Sequence, residues 1–246
     1  MSTVVITGTG TGVGKTIVTS AIAALARAHG RTVAVVKPVQ TGVEGSNESD
    51  IDVVGRLTGI DDRHELVRYP EPLAPATAAR RSGIKATPVT ALARTVDALN
   101  DRDLVLVEGA GGLLVRLDEQ QHTIVDLASA INADLLVVTA AGLGALNMTA
   151  LTCDRIRGHG LNCLGVVIGA WPASPDVATL CNLDDLPAYA GAPLLGLLPE
   201  RAGEVSPTEF LGLARNGLAP ELGGQWCDCS SASTHHRDGD QRDGRG

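Results

Sequence analysis

Short apolar runs alternate along this chain with longer stretches of helical spacing. The runs Thr3–Thr7, Thr32–Lys37, Asp103–Glu108, Asp134–Ala140, Cys163–Ala170 and Pro193–Pro199 are rich in Val, Leu and Ile and show no polar alternation. Runs of that kind predict strands covered on both faces, as in a parallel sheet. Between them the spacing predicts helices over 17–29, 50–58, 88–99, 146–158 and 206–215. Strand and helix in alternation predict right-handed crossover units and a doubly wound, mainly parallel α/β sheet, a Rossmann-like three-layer fold. Ligands of such sheets sit beyond the carboxyl ends of the strands. From Gly223 to Gly246 the chain turns to Gly, Ser, Asp, Arg and His, a composition that cannot bury a core. We therefore expect one folded domain over 1–222 and a disordered polar tail over 223–246.

Composition narrows the function. The 246 residues suffice for a full α/β core, and with only 2% aromatics that core must be aliphatic. A formal charge of −8 speaks against nucleic acid or an anionic membrane as partner. No stretch approaches the roughly 20 apolar residues of a membrane span. Met1 leads directly into a core strand without a basic leader, so a cytoplasmic protein is expected. Cys153, Cys163 and Cys181 stand singly in apolar or helical segments and read as buried thiols. Cys227-Asp228-Cys229 beside His235-His236 fits no standard zinc spacing and is expected to be irrelevant to structure.

The first strand is followed by Gly8-Thr9-Gly10-Thr11-Gly12-Val13-Gly14-Lys15-Thr16 and then by a helix. Strand, glycine-rich loop and helix are the setting of a phosphate-binding loop, whose backbone N–H groups and helix dipole face the phosphates. Here Gly8 stands one residue further from Gly14 than the common spacing. Lys15 supplies a mobile charge for terminal phosphates and Thr16 a hydroxyl for Mg²⁺. A plain glycine turn would need neither, so the chain reads as a P-loop protein that binds a nucleoside triphosphate.

The other strand ends carry chemistry too. Lys37-Pro38-Val39-Gln40-Thr41-Gly42 closes the second strand. A lysine there is costly to bury unless it is paired, and phosphates in the same cleft would pair it. Alone, Lys37 would read as an exposed strand-end residue. The third strand ends in Glu108-Gly109-Ala110-Gly111-Gly112, a carboxylate followed by a close-approach backbone. The glycines favour a Mg²⁺ ligand over a surface turn at Glu108. Asp50 and Asp52 open the next helix, and Asp50 reads equally as a cap or as a second metal carboxylate. Gly144-Ala145-Leu146-Asn147 opens a later helix, either a plain entry loop or a place for a substrate carboxylate.

Together GTGTGVGKT at 8–16, KPVQTG at 37–42, VEGAGGLLV at 107–115 and LGALN at 143–147 resemble the dethiobiotin synthetase family of the P-loop class. The resemblance runs in order through about residues 1–220, and KPVQTG is its most specific element. It implies a Mg²⁺-dependent, ATP-driven ligase of biotin biosynthesis, acting on 7,8-diaminopelargonate and carbon dioxide as a homodimer. By resemblance the catalytic lysines are Lys15 and Lys37, and the metal ligands are Thr16, Asp50 and Glu108. The implied nucleotide site holds Gly12, Val13, Gly14, Lys15, Thr16, Ile17, Asp50, Glu108, Gly109, Ala110 and Gly111. Gly169, Ala170, Leu198, Pro199 and Glu200 would meet the base. The implied substrate contacts are Thr41 and Gly144, Ala145, Leu146 and Asn147, the last four across a dimer interface.

Some positions depart from the family pattern. Gly10 stands where an Asp is common, Gly169-Ala170 stands where an Asn reads adenine, and Ala145 and Met148 replace polar residues. ATP is the expected nucleotide, with another triphosphate such as CTP open. The alternative class is a nucleotide-dependent switch ATPase of the chromosome-partitioning type. Those proteins carry an early loop lysine where this chain has Gly10. A corrinoid-type amide ligase would lack KPVQTG and usually adds a glutamine-hydrolysing domain.

Overall fold

The structure is a computed structural model that describes residues 2–45 and 47–227. The N-terminal half runs β1 (Ser2–Gly8), α1 (Lys15–Ala28), β2 (Val33–Lys37), β3 (Gln40–Thr41) and α2 (Asp50–Thr58). It continues through β4 (Arg63–Glu65), β5 (Arg68–Tyr69), α3 (Pro75–Ser82), α4 (Val89–Asp97) and β6 (Leu104–Glu108). The C-terminal half is α5 (Ile124–Ala130), β7 (Asp134–Thr139), α6 (Ala145–Gly158), β8 (Cys163–Trp171), α7 (Val177–Ala190), β9 (Leu194–Pro199) and α8 (Pro207–Gly217). Seven strands form one sheet in the order β4-β2-β6-β1-β7-β8-β9. Every pairing in it is parallel. β3 and β5 make a separate two-stranded parallel ribbon.

Both faces of the sheet are buried, which explains the unbroken apolar runs. Along β6, Leu104 and Leu106 pack with Leu25, Leu57 and Phe210 of α1, α2 and α8. Val105 and Val107 pack on the opposite face with Leu92, Leu127, Ile156 and Leu186 of α4, α5, α6 and α7. Each such large side chain contributes about 1.5–3 kcal/mol by leaving water. Phe210 and Tyr69 are the fully buried aromatics of an otherwise aliphatic interior.

β1 lies centrally, with β6 on one side and β7 on the other. The chain leaves β1, crosses β6 and enters β2, so the strand order reverses beside β1. That opens the crevice in which ligands of such sheets bind. The ends of β1, β6 and β2 point into it together.

The expected strands are all present, and so are the five expected helices with ends shifted by up to two residues. α3, α5 and α7 were not read from the sequence. α5 is a seven-residue helix, and α7 contains Pro187, which breaks the helical reading. Contrary to what their sequence setting suggests, the cysteines are not all buried and single. Cys181 is exposed, because it shares the outward face of α7 with Val177 and Leu180. Cys163 is half-buried and its Sγ lies 3.9 Å from that of buried Cys153, so these thiols are neighbours rather than single. Beyond α8 the backbone of Gly224, Gln225 and Trp226 hydrogen-bonds to Ala219, Arg215 and Leu218. The rest of the expected tail, with Asp228, Cys229, His235 and His236, lies outside the described residues. No described helix is long and apolar enough to cross a membrane.

Candidate active site

The loop after β1 turns through Gly12 (φ 76°) and Gly14 (φ 95°), left-handed values that a side chain would strain. Gly14 caps α1, whose first residues are Lys15 and Thr16, so both side chains stand at a helix N-terminus facing the crevice. Lys15 Nζ donates to Gly10 O of its own loop at 2.8 Å. Burial, and then the nearby Lys37 ammonium, holds the Lys15 pKa below its usual value.

Glu108 is the last residue of β6 and is buried at 2% exposure. Its Oε1 accepts from Thr16 Oγ1 at 2.9 Å and from Lys37 Nζ at 2.8 Å. Lys37, the last residue of β2, also donates to Gly109 O at 3.1 Å and pairs with Asp50 Oδ2 at 2.5 Å. Burial works against the Lys37 ammonium, yet Glu108 and Asp50 outweigh it and raise its pKa. Asp50 is likewise disfavoured by burial, but Lys37 pulls its pKa below the usual carboxylate range.

The structure separates Asp50 from the cap of α2. Ser49 is the N-cap: its hydroxyl accepts from Asp52 N, and the Asp52 carboxylate accepts from Ser49 N at 2.9 Å. That box leaves the Asp50 carboxylate free to turn to Lys37. Gln40, which sequence reading passed over, holds the same corner. Its Oε1 accepts from Asp50 N at 3.2 Å and its Nε2 donates to Thr41 O at 3.1 Å. No periodicity or motif marks such a brace between a loop and a helix start.

A cleft of about 540 Å³ joins these groups. Of the expected residues, Gly12, Gly14, Lys15, Thr16, Ile17, Lys37, Thr41, Asp50, Glu108, Ala110 and Gly111 line it. The segment Pro72-Leu73-Ala74-Pro75 ahead of α3 closes one wall, and no sequence signal pointed to it. Val13, Gly109, Gly169, Ala170, Leu198, Pro199 and Glu200 do not line the cleft. Gly169 instead supports the phosphate loop, since a Cβ on it would lie 2.1 Å from Val13 O. The Leu198 side chain is wholly buried, so only its backbone could meet a base. Glu200 Oε1 accepts from Ala173 N at 3.1 Å, and Glu200 N donates to Trp171 O at 2.8 Å. Gly144, Ala145, Leu146 and Asn147 lie at the start of α6, also outside the cleft, with Asn147 exposed and Ala145 buried.

Among the described residues no cluster of three or more His, Cys, Asp or Glu forms a metal cage. The donors that do converge are two carboxylates and a hydroxyl, hard oxygens of the kind that Mg²⁺ takes when phosphates complete its shell.

Known proteins resemble this chain in both sequence and fold. A P-loop family model described as an AAA domain matches residues 2–208. The fold is similar to that of the septum site-determining protein MinD complexed with Mg-ADP from Pyrococcus horikoshii. The TM-score there is 0.57 at 17% identity, covering 87% of this chain and 92% of that one. Such a distance shows the fold alone. Much nearer are the ATP-dependent dethiobiotin synthetases BioD of Frankia casuarinae and Saccharopolyspora erythraea. The first is 59% identical over 91% of this chain and 94% of its own length. The second is 56% identical over 92% and 99%. With the triphosphate loop, Lys37 and Glu108 converging on one cleft and relatives this near along almost the whole sequence, the chain belongs to the ATP-dependent dethiobiotin synthetases, ligases of biotin biosynthesis.

Proposed function

We propose that this chain joins carbon dioxide to 7,8-diaminopelargonate and closes the ureido ring of dethiobiotin, driven by a nucleoside triphosphate. One amine of the diamine adds to carbon dioxide and gives a carbamate. A carbamate oxygen takes the γ-phosphoryl group, nucleoside diphosphate leaves, and a mixed carbamic–phosphoric anhydride remains. The second amine attacks the carbonyl carbon, phosphate departs, and the ring closes. The observation that carries this reading is the meeting of Lys37, Thr16, Glu108 and Asp50 beside a phosphate loop in one cleft.

The protein's task is positioning and charge. The loop amides from Gly12 to Ile17 cradle the phosphates, and Lys15 moves from Gly10 O to the terminal ones. Lys37 reaches the carbamate and the transferring phosphoryl group, where a fixed cation is worth about 10²–10³ in rate. Thr41 contacts the diamine from the same cleft wall. Thr16, Glu108 and Asp50 would hold Mg²⁺, which when bound neutralises charge on the phosphates. The amides of Ala110 and Gly111 border the site, while Gly109, whose N–H is held by Ile6 O, supports it from behind. The base lies towards Gly169, Ala170 and Leu198-Pro199-Glu200, where backbone groups meet it.

The active form is a homodimer in the cytosol. Supporting this, Leu143 is 94% exposed, and Met148 and Leu151 of α6 and Val177 and Leu180 of α7, two helices that pack on each other, are exposed too. An apolar surface next to Gly144–Asn147 suits a second copy that receives the substrate carboxylate at that helix start.

The test is nucleoside diphosphate release with Mg²⁺ and ATP or CTP, with and without 7,8-diaminopelargonate and bicarbonate, with product mass read alongside. Release that needs both partners and yields the cyclic urea is expected. Release indifferent to the diamine would turn the case to a switch ATPase.

A further inference from the structure

Lys37 sits among the groups that would hold the divalent cation. Its Nζ is 2.5 Å from Asp50 Oδ2 and 2.8 Å from Glu108 Oε1, the same oxygen that accepts from Thr16. The Lys37 and Glu108 side chains are exposed by only 5% and 2%, so water screens this contact little. An ammonium bridging these carboxylates excludes a second cation from between them by both space and charge. In the same position Lys37 cannot face the carbamate, because its donors are spent on Glu108, Asp50 and Gly109 O.

We propose that Lys37 is the resident counter-ion of the Glu108–Asp50 pair and gives way to the divalent cation when the metal–nucleotide complex arrives. This rests on the metal-ligand reading above. Lys37 compensates the Glu108 carboxylate, which is buried and would be costly unpaired, and also neutralises the more exposed Asp50. Its release is then tied to loading of the site. Asp50 and Glu108 would then hold the cation, and the freed Lys37 ammonium swings towards the carbamate. Free cation alone cannot easily displace Lys37, because it lacks the phosphate oxygens that complete its shell. The carbamate-facing lysine is thus set only when nucleotide and metal are both in place.

The experiment titrates Mn²⁺ into the nucleotide-free full chain and reads free Mn²⁺ by electron paramagnetic resonance. Wild type, Lys37→Met and Lys15→Met are compared. Thermal unfolding with and without Mg²⁺ checks that each variant is folded. Lys37→Met is expected to bind Mn²⁺ at least about tenfold more tightly than wild type. Its Tm should rise with Mg²⁺ alone, where that of wild type does not. Lys15→Met, which removes an equal charge that bonds only to Gly10 O, should gain much less. Equal Mn²⁺ affinity in Lys37→Met and wild type would overturn the exchange, and so would an equal gain in Lys15→Met. The metal-ligand reading is checked apart from this, by Mn²⁺–nucleotide binding to Glu108→Gln. If that binding is undiminished, the ligand assignment falls and takes the exchange with it.

Discussion

Gly14 and Gly169 meet backbone to backbone. A Cβ on Gly14 would lie 2.4 Å from Gly169 O, and one on Gly169 would lie 2.1 Å from Val13 O. The end of β8 is therefore the bed on which the phosphate loop rests. Neither residue has room for a methyl group, and the obstructing atoms are backbone.

Gly169→Ala is accordingly expected to push the loop out of register. Overpacking of this kind costs about 1–3 kcal/mol of stability. Triphosphate affinity should fall at least about tenfold, as measured by calorimetry. Gly212→Ala is the control, since a Cβ there meets nothing within 4 Å. If Gly169→Ala binds nucleotide as wild type does, the supporting role is wrong.

Lys37 and Glu108 share one ion pair but should fail differently. Lys37→Ala is expected to keep nucleotide binding nearly intact while product formation drops by about 10²-fold or more. Glu108→Gln is expected to lose the Mg²⁺-dependent turnover, because the amide can still accept from Thr16 and Lys37 but no longer offers a charged carboxylate to the cation. Steady-state rates over a Mg²⁺ series separate the two. Normal turnover in Lys37→Ala, or an ordinary Mg²⁺ response in Glu108→Gln, would remove that residue from the mechanism.

Much of this site was legible because its parts sit at strand ends, where short motifs carry local chemistry. Lys15-Thr16, Lys37, Thr41 and Glu108 were found that way, and the fold brings all of them to one cleft. What escaped reading depends on contacts distant in sequence or on side chains with no pattern. Gln40 braces Asp50 ten residues away, and the wall at 72–75 is a loop with no periodicity. The choice between cap and site for Asp50 needed the Ser49–Asp52 box to be seen. The small ribbon of β3 and β5 has strands of two residues each, too short for any alternation to show.

Asp118 is buried and accepts from His122 twice, from its backbone N at 3.0 Å and its ring Nδ1 at 2.8 Å, and from Val89 N at 3.3 Å. The hydrogen bond to Asp118 is the main reason the His122 pKa is raised above 6.5, with the Asp118 and Asp126 charges adding to it. A raised folded pKa means that the stabilisation is complete below the unfolded value and is lost as pH rises through the folded one. Wild type should therefore hold a Tm advantage of about 1–3 °C over His122→Gln below about pH 6.5 and lose it as pH rises above that value. Parallel Tm curves for the two proteins would show that the pair contributes nothing.

The exposed apolar face of α6 and α7 makes the assembly testable independently of the chemistry. Leu151 is 58% exposed on that face and lines no part of the nucleotide cleft. Leu151→Arg sets a charge where a second copy would bury it, a desolvation cost large enough to split a modest interface. Sedimentation should find wild type at about twice the 25.3 kDa chain mass and the variant at one chain. If Gly144–Asn147 serves the partner's substrate, the variant's KM for the diamine should rise at least about tenfold while triphosphate binding stays unchanged. A monomeric variant with an unaltered diamine KM would mean that each chain holds its substrate unaided. The carboxylate contact would then have to be sought within the cleft, on the wall from Pro72 to Pro75.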